Sequence, residues 1–230
     1  MISYTKDIRT LEIFNNVCEE TISIILEQGE IRKYKKDAMV FYDKEEVKDI
    51  YIVMTGTVSL YKINENGQKK VIFLLGEGKV VNDVMIKELP ASINCQVFEE
   101  ALLLKINKNK LLEIMKYDFE LCKNIIMSLS MKTRRMYRQL KNTPPSIKVE
   151  KRLAAKIYKL GRDYGIETDE GILIKKSLTV TYLADLLGSP RETVSRALKL
   201  LQDKQLIVYK DKNILISDLS KISEFFKTSW

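Results

Sequence analysis

The sequence contains no histidine, and that absence removes a large part of enzyme chemistry. Imidazole general bases, histidine-ligated haem and the common zinc sites are excluded, leaving only carboxylate, thiol or lysine chemistry for a catalyst. Cysteine is scarce too: Cys18, Cys95 and Cys122 are odd in number and far apart, so neither a disulfide framework nor a metal cluster is expected. Apolar runs such as "IYIVM" and "VIFLL" are far too short to span a bilayer, and no basic-then-apolar leader with a cleavage site opens the chain. No glycine-rich phosphate cradle is present either. The expectation is a cytoplasmic protein that is not an enzyme, has no membrane contact, and carries no cofactor or metal.

What the chain does have is charge, and an excess of one sign. Its 230 residues, 45% hydrophobic and 30% charged, suffice for two globular domains. The net charge is +8 and the pI about 9.2, a balance that favours polyanionic partners. From Thr143 onward there are 16 basic and 11 acidic residues, against 23 and 20 before it, so the C-terminal part is the better candidate for touching phosphate.

Between about Ile31 and Ile106 the pattern is of short strands: "MVFY", "DIYIVM", "TVSLYKI", "KKVIFLL", "NCQVF" and "ALLLKI". Asn66-Gly67 between two of them is a hairpin signal, because both residue types tolerate positive φ, and Gly56, Gly76 and Gly78 punctuate the rest. Many short strands at near-regular spacing predict a small antiparallel barrel or roll. After Asn107 the period becomes helical. Phe119, Cys122, Ile126, Leu129, Thr133, Met136 and Leu140 follow one another at alternating steps of three and four, an a/d seam. Two readings are open: the seam packs on the barrel, or it joins two parallel helices in a homodimer while Leu121 and Ile125 face the barrel.

The helical pattern stops at "NTPPS", where two consecutive prolines mark a boundary. "SIKVEKRLAAKIYKLG" then places Val149, Leu153, Ile157 and Leu160 on one face and predicts a helix end at Gly161. A hairpin-like "TDEGILI" leads to "SLTVTYLADLLG", with Thr179 as N-cap and Gly188 permitting a tight turn. In "GSPRETVSRALKLL", Ser189 at N-cap, Pro190 at N1 and Glu192 at N3 predict a capping box. Val194, Leu198 and Leu201 form the buried stripe, and Arg191, Glu192, Ser195 and Arg196 share the opposite face. A second helix offering polar groups at its N-terminal end is the helix-turn-helix arrangement for entering a major groove. Arginine can donate twice to guanine and glutamate can accept from the cytosine amino group; the alternative is that Glu192 pairs with Arg196 on a solvated surface. "LIVYKDKNILIS" reads as two strands around a basic tip, a wing suited to phosphate.

These residues resemble the cyclic-AMP receptor protein/Fnr family of bacterial transcription regulators, and "LADLLGSPRETVSRALKLLQDKQLI" is similar to its DNA-reading signature over nearly every residue. The resemblance extends in order over almost the whole chain. It implies an α+β fold with an N-terminal antiparallel β-roll sensor, a cupin-like jelly roll, at 1–106. A dimerisation helix at 107–142 and a C-terminal winged helix-turn-helix at 143–230 follow. It implies a homodimer on a pseudo-palindromic double-stranded DNA operator, with RNA polymerase as a further partner if the protein is an activator. Arg191, Glu192, Ser195 and Arg196 would read bases, supported by Ser189, Thr193, Thr179 and Lys212.

The sequence departs from the family at the cyclic-nucleotide cassette. Asn82-Asp83 stands where cyclic-AMP-binding members carry Gly-Glu, and Ile93-Asn94 where they carry Arg-Ser. Without the arginine, the phosphate would be buried with no bidentate partner, so cyclic AMP is not the expected ligand. Asn82, Asp83, Ile93, Asn94, Cys95, Met136 and Tyr137 are the candidate contacts for an unidentified small-molecule effector. Within the family the chain resembles the Gram-positive virulence-regulator branch, which also lacks the cyclic-nucleotide signature. Two alternatives stay open: a constitutively active DNA binder with a vestigial sensor, and a thiol-based redox regulator.

Overall fold

The structure, a computed structural model, describes residues 8–82, 88–141 and 147–227. The chain divides into two compact units, residues 1–62 with 72–136, and residues 63–71 with 137–230.

In the first unit two long strands, β3 (Asp49–Ile63) and β5 (Asn94–Asn107), pair antiparallel from Asp49↔Asn107 to Tyr61↔Asn94. The strands β1 (Glu30–Tyr34), β2 (Met39–Phe41) and β4 (Lys69–Leu75) complete an antiparallel sheet of order β1-β5-β3-β4, with β2 also on β5. Side chains of a strand alternate between faces, and here both faces are covered. Tyr51, Val53, Ala101 and Leu103 point into the roll with Phe41, Val58, Leu60, Leu75 and Cys95. Ile50, Ile52, Met54, Leu104 and Ile106 point the other way, onto Ile22, Ile25, Leu111, Leu121 and Ile125. The second set lies on three helices: α1 (Glu19–Gln28), α2 (Lys108–Tyr117) and α3 (Phe119–Lys141). Burial on two faces explains why "DIYIVM" and "ALLLKI" are nearly unbroken apolar runs.

The sequence predicts breaks at Gly56 and between "NCQVF" and "ALLLKI"; the structure has continuous strands that bend. The β3/β5 register shifts between Val53 and Val58, and Gly56 sits there with φ +81. A Cβ on Gly56 would lie 2.2 Å from the Glu100 carbonyl oxygen, so only glycine permits this bend.

Asp118 ties the helices to one another. It is buried, and its carboxylate accepts from the Leu121 N–H at 3.1 Å in the first turn of α3 and from the Cys18 N–H at 3.0 Å ahead of α1. Burial pushes this carboxyl up. The hydrogen bonds from Leu121, Cys18, Thr21 and Glu120 outweigh that and hold it below the usual carboxylate range.

The second unit contains α4 (Val149–Tyr164), β6 (Ile166–Thr168), β7 (Gly171–Ile174), α5 (Val180–Leu187), α6 (Arg191–Asp203), β8 (Ile207–Lys210), β9 (Asn213–Ile216) and α7 (Leu219–Lys227). Its sheet has the order β6-β7-β9-β8, and Leu153, Ile157, Leu183, Leu187, Val194, Leu198 and Leu201 are buried among these elements. Val149 starts α4, but the helix does not end at Gly161. It continues to Tyr164, and a Cβ on Gly161 would lie 2.5 Å from Ile216 Cδ1, so this glycine serves close packing against β9 rather than termination. Among the described residues no helix is long and apolar enough to cross a membrane.

Replacing Asp118 by alanine leaves two helix starts without their acceptor, and is expected to cost about 1–2 kcal/mol of unfolding free energy. The carboxyl is depressed in the folded state, so its contribution is fully present above the unfolded value near 4 and fades as pH falls through the lower folded value. Urea unfolding of both proteins from neutral to acid pH checks this: the gap between them should close on the acid side.

Candidate nucleic-acid interface

The turn between α5 and α6 sets the interface. The Thr179 hydroxyl accepts from the Tyr182 N–H at 3.1 Å and caps α5. At its far end Gly188 adopts φ 59, ψ 47; the Gly188 N–H donates to Asp185 O at 3.4 Å and the Ser189 N–H to Ala184 O at 3.2 Å. This paired closure with a left-handed glycine is a Schellman motif, and it turns the chain sharply into α6. Arg152 of α4 donates to the Leu187 carbonyl in the same turn.

The predicted capping box at Ser189 is not formed. Pro190 (φ −57, ψ 143) is the N-cap with no side-chain hydrogen bond, and α6 begins at Arg191, so Glu192 falls at the second helical position rather than the third. The Ser189 N–H is used to close α5, so the donor that a capping box would offer to the Glu192 carboxylate is already spent.

The phase of α6 is set by Val194, Ala197, Leu198 and Leu201, all buried. Arg191, Glu192, Ser195 and Arg196 are exposed together on the first two turns, and Thr193 is half-buried beside them. Among the described residues none of these four side chains is in a hydrogen bond or ion pair, so the Glu192–Arg196 pairing weighed from sequence is absent. Their donors and acceptors face outward unspent.

The wing is fixed to this helix. Lys210 pairs with Asn213 across a two-residue turn in which Asp211 (φ 51) and Lys212 (φ 63) are both left-handed, the arrangement of a type I′ hairpin, and Lys212 is exposed at the tip. The Tyr209 N–H donates to Gln202 Oε1 at 3.1 Å and the Tyr209 hydroxyl to Leu178 O at 2.9 Å, tying the wing to α6 and to the start of α5.

The candidate effector residues do not converge on an open site. The Asn82 side chain accepts from the Tyr51 N–H at 2.8 Å and donates to Asp49 O at 2.9 Å. That of Asn94 accepts from the Asp43 N–H at 3.1 Å and donates to Tyr61 O at 3.3 Å. Both amides therefore splice the roll together. Cys95 is fully buried in the roll core, where burial pushes its thiol up and the Lys132 ammonium opposes this; Ile93 packs on the same core. A reactive thiol needs exposure and a depressed pKa, and Cys95 has neither. Met136 and Tyr137 are exposed on α3, and Asp83 lies outside the described residues.

Lys132 was missed as a site residue. Its ammonium donates to Val81 O at 3.1 Å and Asn82 O at 2.9 Å, fastening α3 to the segment that follows β4. The signal was its place on the helix stripe of Leu121 and Ile125. Of the seam, Phe119 and Ile126 are 74% and 55% exposed, Met136 and Thr133 are exposed, and Cys122 is half-buried. Leu129 packs partly on the roll-side core instead, and the side chain of Leu140 lies outside the described residues.

A β-roll unit and a winged helix-turn-helix with an open, polar first two turns define a DNA-binding transcription regulator. Residues 31–118 match the cyclic nucleotide-binding domain family and residues 151–225 the Crp-like helix-turn-helix domain family. The HTH-type transcriptional regulator ArcR of Staphylococcus epidermidis is 26% identical over 81% of this chain and 82% of its own length.

 The CRP-like cAMP-activated global transcriptional regulator of Mycobacterium tuberculosis is 21% identical over 92% of this chain and 94% of its own. The structure of the c-di-GMP responsive regulator CLP from Xanthomonas campestris superposes with a TM-score of 0.76 at 20% identity, covering 87% of this chain and 100% of that one. The chain belongs to the Crp/Fnr family of transcription regulators, whose members here are regulators and not enzymes.

The corrected cap makes a sharp expectation. Thr179→Ala should lower the unfolding free energy by about 1 kcal/mol, whereas Ser189→Ala, with no side-chain bond to lose, should change it by less than about 0.5 kcal/mol. Chemical denaturation of the two variants checks it; equal losses would restore Ser189 as a cap.

Proposed function

We propose that this regulator is a cytoplasmic homodimer that reads a pseudo-palindromic operator through α6 and answers to a small effector other than cyclic AMP. The observation that carries the reading is the exposed, unspent set Arg191, Glu192, Ser195 and Arg196 behind the rigid Gly188 turn. Arg191 and Arg196 donate to guanine O6 and N7, Glu192 accepts from cytosine N4, and Lys212 at the wing tip meets phosphate. Ser189, Thr193 and Thr179 flank that surface. The second copy covers Phe119, Cys122, Ile126, Thr133 and Met136 on α3, because an exposed apolar row of this length is costly to leave in water. Effector control is a population shift: the ligand changes operator affinity only by binding the two arrangements of the dimer unequally. RNA polymerase is a partner if the outcome is activation.

Selection of duplexes from a random pool should return half-sites whose centres lie roughly 34–36 Å apart, with a G·C-dependent core. Arg191→Ala and Arg196→Ala should each cost about 1–3 kcal/mol on that operator and relax preference at one base pair, while Lys212→Ala weakens all sequences alike and lowers the salt slope by about one unit. Unchanged preference at every position in both arginine variants would overturn the reading.

Sedimentation tests the assembly. Ile126→Lys together with Phe119→Lys should give monomers with poor operator affinity, since both side chains are exposed and their replacement leaves the roll-side core intact. Persistent dimers would move the interface elsewhere.

A further inference from the structure

A cavity of about 230 Å3 lies in the first unit between the short turn Glu12–Phe14, the Gly78–Lys79 turn and the face of α3 that carries Asn124, Met127 and Ser128. Its walls are built locally. Gly78 has φ +72, and a Cβ there would lie 3.0 Å from the Glu12 nitrogen, so glycine lets this turn close on the N-terminal segment. The Gly78 N–H donates to Val53 O at 2.8 Å, anchoring the turn on β3. Across the cavity the Asn124 amide donates to Ile13 O at 3.1 Å and Asn15 O at 2.8 Å, which fixes the same segment to α3.

The chemistry facing the cavity is specific. Asn124 spends its amide hydrogens on those carbonyls, and among the described residues its Oδ1 and the Ser128 hydroxyl have no protein partner. Glu12 and Lys79 form an ion pair and Met127, 54% exposed, supplies apolar surface, while Ile13 lines the cavity from the core side. One carboxylate and one ammonium make the set neutral. An anion would take Lys79 and strand Glu12, and a cation would do the reverse; a zwitterion satisfies both. The volume is below the roughly 300–1,000 Å3 of sites for drug-sized ligands, which disfavours a nucleotide.

We propose that this cavity binds a free amino acid with an aliphatic side chain. Its carboxylate pairs with Lys79, its ammonium with Glu12 and Asn124 Oδ1, with Ser128 as a further partner, and its side chain lies on the exposed, pliable Met127. The consequence for DNA rests on the regulator reading above: a ligand bridging the N-terminal segment and α3 is placed to bias the helix.

The test uses the full chain and L-leucine as probe. Calorimetry should show saturable binding, with 4-methylpentanoic acid and isoamylamine, which each lack one charge, weaker by tenfold or more. Lys79→Met and Glu12→Gln should each weaken leucine tenfold or more. Ser128→Leu, which fills the cavity and leaves the ion pair alone, should abolish binding without lowering the thermal midpoint. The proposal is overturned if no aliphatic amino acid binds at millimolar concentration, if the acid or amine binds as well as leucine, or if Lys79→Met and Ser128→Leu bind like the parent. Operator affinity of the ligand-free proteins is measured in parallel. Leucine binding without operator binding sinks the regulator reading alone, and operator binding without leucine binding sinks the pocket alone.

Discussion

Burial of β3 and β5 on both faces is the constraint from which the first unit follows. Adjacent residues serve different cores: Leu103 fills the roll and Leu104 meets the helices, as Val53 and Ile52 do on the partner strand. A one-residue slip would exchange the two sets, so the register is heavily specified. The same constraint docks α3, because Leu121 and Ile125 have their place only on the outer face of these strands. Helix and roll are therefore one packed body, and interiors of this density have discrete arrangements rather than continuous ones.

Much of this was legible because the signals are local. The phase of α6 follows from Val194, Leu198 and Leu201 regardless of tertiary detail, and Gly188 marks the preceding turn. The errors arose where one residue has two possible duties. Gly56 looks like a turn but bends a strand, Gly161 looks like a helix end but admits Ile216, and Ser189 looks like a cap but spends its N–H closing α5. Sequence spacing alone does not separate these duties; the identity of the approaching atom does.

The sensor end was far less legible, for a related reason. Asn82 and Asn94 were read as ligand contacts because they occupy the family's cassette, yet their amides serve backbone groups 31 and 51 residues distant. Asp118 gave no signal at all, and its partner Cys18 is 100 residues away. Nothing local announces such pairings. Lys132 is intermediate: its helix stripe points it toward the roll, but its acceptors are carbonyls, which every residue has.

These contrasts bear on how the family varies. The proposed DNA-reading surface is a few outward side chains of one short helix, held by a turn whose hydrogen bonds lie within the same segment. The cavity proposed for a ligand draws instead on groups gathered from the N-terminal turn, the Gly78 turn and α3, several of them already engaged in holding the fold. On that reading a change of effector entails a change of packing, whereas the recognition helix can keep its pattern. Proteins described as cAMP-activated and c-di-GMP responsive are similar to this chain over most of its length. Among the described residues α3 joins the Asp118 corner, the Lys132 contacts and the exposed apolar row, so on the proposed reading it is the element a ligand would bias. A ligand that stabilises one setting of that helix over another shifts the population by its difference in affinity and no further.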